Sequence, residues 1–142
     1  MERSPHILLV EDNAEVSELL VETLRDAGFS CSTAETVAQA RQALAVQKFA
    51  LLITDLLLPG GILGTALAEE AAEIGIPVLV MTGDAERLDE LARHGWASLP
   101  KPFRLAAFID KVRRILREHG ALGPCSKQNG PNGPPNERGD PS

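Results

Sequence analysis

Residues 50–64, ALLITDLLLPGGILG, set one acid, Asp55, at the end of an apolar run. A second short apolar run follows, then Pro59, Gly60 and Gly61. An apolar run of this length bounded by turn residues predicts a strand buried on both faces. A carboxylate ending such a strand is costly to bury unless something pairs with it. The Pro-Gly-Gly is a loop signal. Asp55 therefore reads as a carboxylate displayed where a central strand gives way to a loop.

Working outward, the same grammar recurs. His6–Val10 (HILLV) is a strand that runs into Glu11-Asp12-Asn13. Asp12 or Asn13 suits the N-cap of the helix that follows. That helix places Val16, Leu19, Leu20, Thr23, Leu24 and Ala27 on one face and ends at Gly28. Phe29–Ala34, with Ser and Thr alternating, predicts an edge strand. Glu35 and Thr36 open a second helix, with Val37, Ala40, Ala43 and Leu44 inward. After the Asp55 strand, Leu63–Ile74 predicts a third helix with Leu67 and Ala71 inward. Pro77–Met81 is an apolar strand followed by Thr82-Gly83-Asp84, and Ala85–Arg93 a short fourth helix. Trp96–Leu99 is a fifth strand at an edge, because Pro100 cannot donate to a ladder. Lys101-Pro102 follows, and Arg104–His119 is the last helix. Its inward set is Leu105, Phe108, Ile109, Val112, Ile115 and Leu116. Arg104, Lys111, Arg113, Arg114 and Arg117 form a solvated face.

Strand and helix alternate five times along the chain. The pattern predicts an α/β fold, a parallel sheet covered by helices on both faces with right-handed crossovers. Residues 1–119 read as one domain. Residues 120–142 carry five Gly and five Pro and almost nothing apolar, so they read as a disordered Pro/Gly/Asn-rich tail.

Composition narrows the function classes. The 142 residues carry a formal net charge of −6, which disfavours nucleic acid as a partner. No apolar run approaches membrane-spanning length, and the N-terminal MERSPHILLVEDN lacks the form of a secretory signal. The expectation is a cytoplasmic protein with no membrane partner. Cys31 and Cys125 are far apart, with no CxxC and no clustered His, so neither a disulfide nor a zinc site is expected. Cys31 reads as a small core residue.

The polar residues carry the chemistry. Glu11 and Asp12 follow the first strand, Asp55 ends the third, Thr82 follows the fourth and Lys101 the fifth. All lie at carboxyl ends, the edge where open α/β sheets bind ligands. Two unit charges at 4 Å repel by about 4 kcal/mol at an effective dielectric of 20. Three neighbouring carboxylates therefore call for a hard divalent cation, and Mg2+ typically takes one or two carboxylates plus phosphate oxygens. An Asp can act as a nucleophile that accepts a phosphoryl group. Thr82 could donate its hydroxyl to a phosphoryl oxygen and Lys101 could pair with another.

As a set, Glu11-Asp12, Asp55-Leu-Leu-Leu-Pro59-Gly-Gly, Met81-Thr82-Gly83 and Lys101-Pro102-Phe103 closely resemble the receiver domain of bacterial two-component response regulators. The resemblance spans about residues 5 to 118, in the right order and spacing. It implies a flavodoxin-like sheet of strand order 2-1-3-4-5. It implies that Asp55 takes phosphate from a phosphohistidine on a sensor histidine kinase or histidine phosphotransfer protein. Asp12 and Asp55 would bind Mg2+ directly, helped by the Leu57 backbone carbonyl, with Glu11 acting mostly through water. Thr82 and Lys101 would contact the phosphoryl group, and the Lys101–Pro102 peptide would be cis.

Three features depart from the usual receiver pattern. Ser98 stands where an aromatic usually sits, with Trp96 at a different phase of the strand. The span from Thr82 to Lys101 is short, which predicts a trimmed fourth helix. Leu57 and Asp84 occupy positions that, in the family, tune how long the phosphoryl group lasts.

The expected role is a single-domain response regulator that signals by phosphorylation-dependent binding to a downstream protein or relays phosphate. It would be a monomer or weak dimer, and no enzyme beyond its own phosphorylation and dephosphorylation. A receiver-like interaction module that takes no phosphate is the alternative. A haloacid-dehalogenase-like phosphatase is more remote. Such enzymes carry Asp-x-Asp after the first strand, where this chain has Glu11-Asp12-Asn13, and no insertion here could form a cap. A flavodoxin would need a Ser/Thr/Gly-rich loop after the first strand, which is absent.

Overall fold

The computed structural model describes residues 5–58 and 62–120. Three strands form the middle of the sheet: β1 (His6–Val10), β3 (Leu51–Asp55) and β6 (Val78–Thr82). All residues of β3 and β6 are buried, as apolar runs covered on both faces should be. The edges are β2 (Ser30–Ala34) and β7 (Ala97–Pro100). All pairings in this sheet are parallel, in the order β2-β1-β3-β6-β7. Counted among these five strands alone, that is the expected order 2-1-3-4-5. The numbering shifts because a two-stranded hairpin, β4 (Leu57–Leu58) with β5 (Ile62–Leu63), follows β3. The sequence places Leu57 and Leu58 in a short apolar run and Leu63 at the start of the third helix, whereas the structure pairs Leu63 with Leu57 and begins that helix at Gly64; the Pro-Gly-Gly loop signal lies outside the described residues.

Helices α1 (Ala14–Asp26), α2 (Val37–Val46), α3 (Gly64–Glu73), α4 (Leu88–Arg93) and α5 (Leu105–Glu118) connect the strands or close the series. Local chemistry sets their ends. Asn13 caps α1 by accepting from the Val16 amide, and Thr36 caps α2 by accepting from Gln39. Gly28, at φ 98°, turns the chain out of α1 in a conformation that other residues adopt at a cost. The fourth helix is short, six residues after a 3₁₀ turn at Ala85–Arg87 that Asp84 caps.

The described residues fall into two units, one ending at Val112 and the other beginning at Arg113. In the first, Leu8 and Val10 of β1, Leu52 of β3 and Val78 and Val80 of β6 form one core with Val37, Ala40, Leu67, Ala68, Ala71 and Leu91. On the alternate positions of the same strands, Ile7, Leu9, Ile53, Leu79 and Met81 are fully buried too, as are Leu20 and Leu24 of α1. In the second unit the described residues carry the last turns of α5, where Ile115 and Leu116 are buried and Arg113, Arg114 and Arg117 exposed. The Gly/Pro/Asn-rich segment beyond Gly120 lies outside the described residues.

Two apolar side chains read as inward are exposed, Leu19 at 47% and Leu105 at 37%, while Val16, Ala27, Ala43 and Leu44 are half-buried. Leu19 flanks the narrower stripe of Leu20 and Leu24, and Leu105 is the first residue of its helix. Cys31 is half-buried, and burial pushes its thiol up to about 11.

Candidate functional site

Parallel strands bring the predicted polar residues to one edge. Asp55 is the last residue of β3 and Thr82 the last of β6; Glu11 directly follows β1 and Lys101 directly follows β7. Backbone bonds fix the two junctions that lie beyond the strands. The Glu11 amide donates to the Ala34 carbonyl at 3.0 Å, and the Lys101 amide to the Thr82 carbonyl at 2.7 Å. The Lys101–Pro102 peptide is cis, and Phe103 stacks on the fully buried Phe108 with ring centroids 5.7 Å apart. That contact anchors the segment that carries Lys101.

Glu11, Asp55 and Thr82 are buried, at 3%, 5% and 5% exposure, whereas Asp12 is exposed. Lys101 Nζ stands 2.6 Å from Asp55 Oδ1 and 3.7 Å from Glu11 Oε1. The Lys101 side chain is 37% exposed, so its charge faces the open cleft as well as the buried acids. The Asn13 amide donates to Glu11 Oε2 at 3.1 Å. The Asp84 amide donates to Thr82 Oγ1 at 2.9 Å, which leaves the Thr82 hydroxyl proton free. These groups line a cleft of about 590 Å³ that also includes Val16, Leu57, Met81, Gly83 and Arg87.

Electrostatics single out Glu11. Burial, then the neighbouring Asp55 carboxyl, push it up to about 7 from the ordinary 4.5, against the Asn13 amide and Lys101. Burial pulls the Lys101 ammonium down, but the Asp55 carboxylate, with Glu11 and Asp12, outweighs it and the net shift is upward.

One oxygen from each of Glu11, Asp12 and Asp55 lies within 4.8 Å of the others. Among the described residues, Glu11 Oε1 and Asp55 Oδ1 are buried without a directional hydrogen-bond donor, and the ammonium beside them makes an ion pair only. Buried carboxylate oxygens left in that state are what a hard cation satisfies. The donor set fits Mg2+: all oxygen, from two buried carboxyl groups and an exposed third.

Residues 7–113 match the response regulator receiver domain family. The chain belongs to the response regulator receivers. Among its relatives is a response regulator receiver protein of Anaeromyxobacter, 37% identical over 112 residues, covering 78% of this chain and 45% of that protein. The chain thus spans about half the length of that relative. CpdR of Brucella abortus, a response regulator receiver protein, is 31% identical, covering 78% of this chain and 95% of its own length. The crystal structure of the response regulator TrrA from Thermotoga maritima, in complex with Mg2+ and BeF, superposes with a TM-score of 0.71. It is 25% identical over 78% of this chain and 98% of that one. The receiver family is a signalling family of two-component systems, and the acidic cluster of this receiver is compatible with Mg2+ and with phosphorylation of an Asp.

The structure brings together every site residue read from the sequence. Leu57 lines the cleft and is 65% exposed. Ser98 is half-buried on β7 opposite Val80. Trp96 precedes that strand and stacks on His94 at 4.3 Å, an arrangement separate from the cleft. Sequence reasoning missed Arg87, which lines the cleft while its Nε donates to Glu90 at 2.7 Å. It also missed Thr54 and Gly64, which touch the backbone of Asp55. A hydroxyl inside an apolar strand and a glycine at a helix start were the available signals.

Among the described residues, no helix is long and apolar enough to cross a membrane.

Proposed function

We propose that Asp55 accepts a phosphoryl group from a phosphohistidine on a sensor histidine kinase or histidine phosphotransfer protein, with Mg2+. The phosphorylated receiver then binds a downstream protein or passes the group on. The observation that carries this reading is the buried Asp55 carboxylate with the Lys101 ammonium 2.6 Å away, sharing a cleft with the Thr82 hydroxyl.

An Asp55 carboxylate oxygen attacks phosphorus, and the phosphorus–nitrogen bond breaks with its electron pair leaving on the imidazole. Lys101 Nζ holds the carboxylate before transfer and follows the charge onto a phosphoryl oxygen. Thr82, its oxygen already accepting from Asp84, donates its proton to another. Asp12, Asp55 and the Leu57 carbonyl would hold Mg2+ directly, with Glu11 acting through water. Bound there, the cation neutralises charge on the carboxylates and the incoming group. Ser98, standing in place of an aromatic, favours relay or output through an altered face. The 95% coverage of CpdR supports action as a single-domain receiver.

Intact-protein mass after incubation with acetyl phosphate tests the reading. The expected result is one added phosphoryl group that needs Mg2+ and is lost in Asp55→Asn. No gain in a chain shown to be folded would overturn it in favour of an interaction module. Turnover of a small phosphomonoester would favour a phosphatase instead.

A further inference from the structure

Thr54 is fully buried in the central strand, immediately before Asp55. Its neighbours on β3 are Leu51, Leu52 and Ile53, and a β-branched hydrocarbon would fill its place without a polar atom to satisfy. Among the described residues the hydroxyl has one partner: Thr54 Oγ1 donates to the Asp55 carbonyl at 3.0 Å. The hairpin of β4 and β5 then folds the chain back, so that Gly64, first residue of α3, lies on the same backbone. The Gly64 amide donates to the Leu56 carbonyl. A Cβ on Gly64 would overlap the Asp55 carbonyl oxygen and come within 3.2 Å of Thr54 Oγ1. Only glycine lets the helix start approach so closely. Two consecutive carbonyls, those of Asp55 and Leu56, thus each receive a donor.

We propose that Thr54 and Gly64 are positioning residues for the Asp55 carboxylate. By holding the two peptide planes that follow the Asp55 Cα, they fix the backbone from which its side chain projects toward Lys101. The inference rests on the reading of Asp55 as Mg2+ ligand and phosphoryl acceptor. Groups that orient a ligand from behind matter about 10–100-fold in metal affinity or activity. A small misplacement of a reacting atom has effects of similar size.

Thr54→Val and Thr54→Ser separate positioning from packing. The Val variant keeps the shape and loses the donor; the Ser variant keeps the donor and loses a methyl. Mg2+ affinity by calorimetry, phosphorylation by acetyl phosphate and the urea midpoint are read for both. Thr54→Val is expected to weaken Mg2+ binding and slow phosphorylation by about tenfold each. Thr54→Ser is expected to restore both while unfolding at lower urea than the wild type. Gly64→Ala, where it folds, should resemble Thr54→Val. Unchanged Mg2+ affinity in Thr54→Val would overturn the proposal. So would a Mg2+ affinity that follows the urea midpoint across the two variants. A wild type that binds Mg2+ but takes no phosphoryl group would sink the phosphoacceptor reading, and the Mg2+ comparison would still decide the positioning role.

Discussion

The two ends of the sheet treat their polar groups in opposite ways. At the amino edge, His6 Nε2 and Ser32 Oγ meet at 2.8 Å and Gln47 Nε2 lies 3.3 Å from the imidazole nitrogens. The His6 ring stands edge-on to Phe49 with centroids 5.0 Å apart. These polar groups are partnered with one another. At the carboxyl edge, Glu11 Oε1 and Asp55 Oδ1 are buried and, among the described residues, have as partner a lysine that is partly in solvent. Both edges are built from the same strands, so the sheet does not force the difference. Two buried carboxyl groups sharing one half-exposed ammonium are an expense for stability that makes sense where a cation and an anion are to arrive.

The comparison breaks most readily at Lys101. Replacing it with Met keeps much of its length and removes the cation paired with Asp55. Loss of a preorganised charge partner of this kind lowers a rate by about 100-fold. The rate of phosphorylation of Lys101→Met by acetyl phosphate, measured with Mg2+ present and the fold confirmed by circular dichroism, should fall by that order. An unchanged rate would mean that the strained charges at this edge do not take part in transfer.

Glu11 gives the next largest effect, and here the sign is unusual. Its folded value of about 7 lies above the ordinary 4.5. Between those values the folded chain holds a proton that the unfolded chain has lost, so its contribution to stability falls as pH rises through that window. Glu11→Gln removes the charge and keeps an oxygen for the Asn13 amide. Without Mg2+ at pH 8 it should be more stable than the wild type by about 2 kcal/mol, allowing for solvent in the cleft. The gain should shrink toward zero near pH 4.5. Added Mg2+ should raise the melting temperature of the wild type more than that of the variant. A variant less stable than the wild type at pH 8 would show that Glu11 is already satisfied in the metal-free chain.

Much of this edge was readable from the sequence because each functional side chain follows an apolar strand. Asp55, Thr82 and Lys101 share no local motif, yet strand ends in a parallel sheet put them side by side. Thr54 and Gly64 were not readable in that way. Their contact depends on Leu57–Leu58 pairing back with Ile62–Leu63, two-residue strands too short to show a period. Leu19 and Leu105 failed for another reason. A helical stripe marks which positions share a face, but how far around the helix the neighbours reach is set by packing.

Ser32 sharpens the comparison from the quiet side. Ser32→Ala removes one oxygen from a satisfied, half-buried cluster on the edge strand. Water can reach His6 from that edge, so the expected loss is about 0.5–1 kcal/mol, read as a small fall in urea midpoint. The phosphorylation rate should not move, because His6, Ser32 and Gln47 are not among the residues that line the cleft. A slower rate would show the two edges coupled through β1, which runs from His6 to the residue before Glu11. An unmoved rate with a lowered midpoint would leave the amino edge as scaffold. The same kind of change, removal of one polar or charged function, would then lower stability at one end of β1 and raise it at the other. That reversal separates side chains that only help the chain fold from side chains that fold at a cost because a ligand is due.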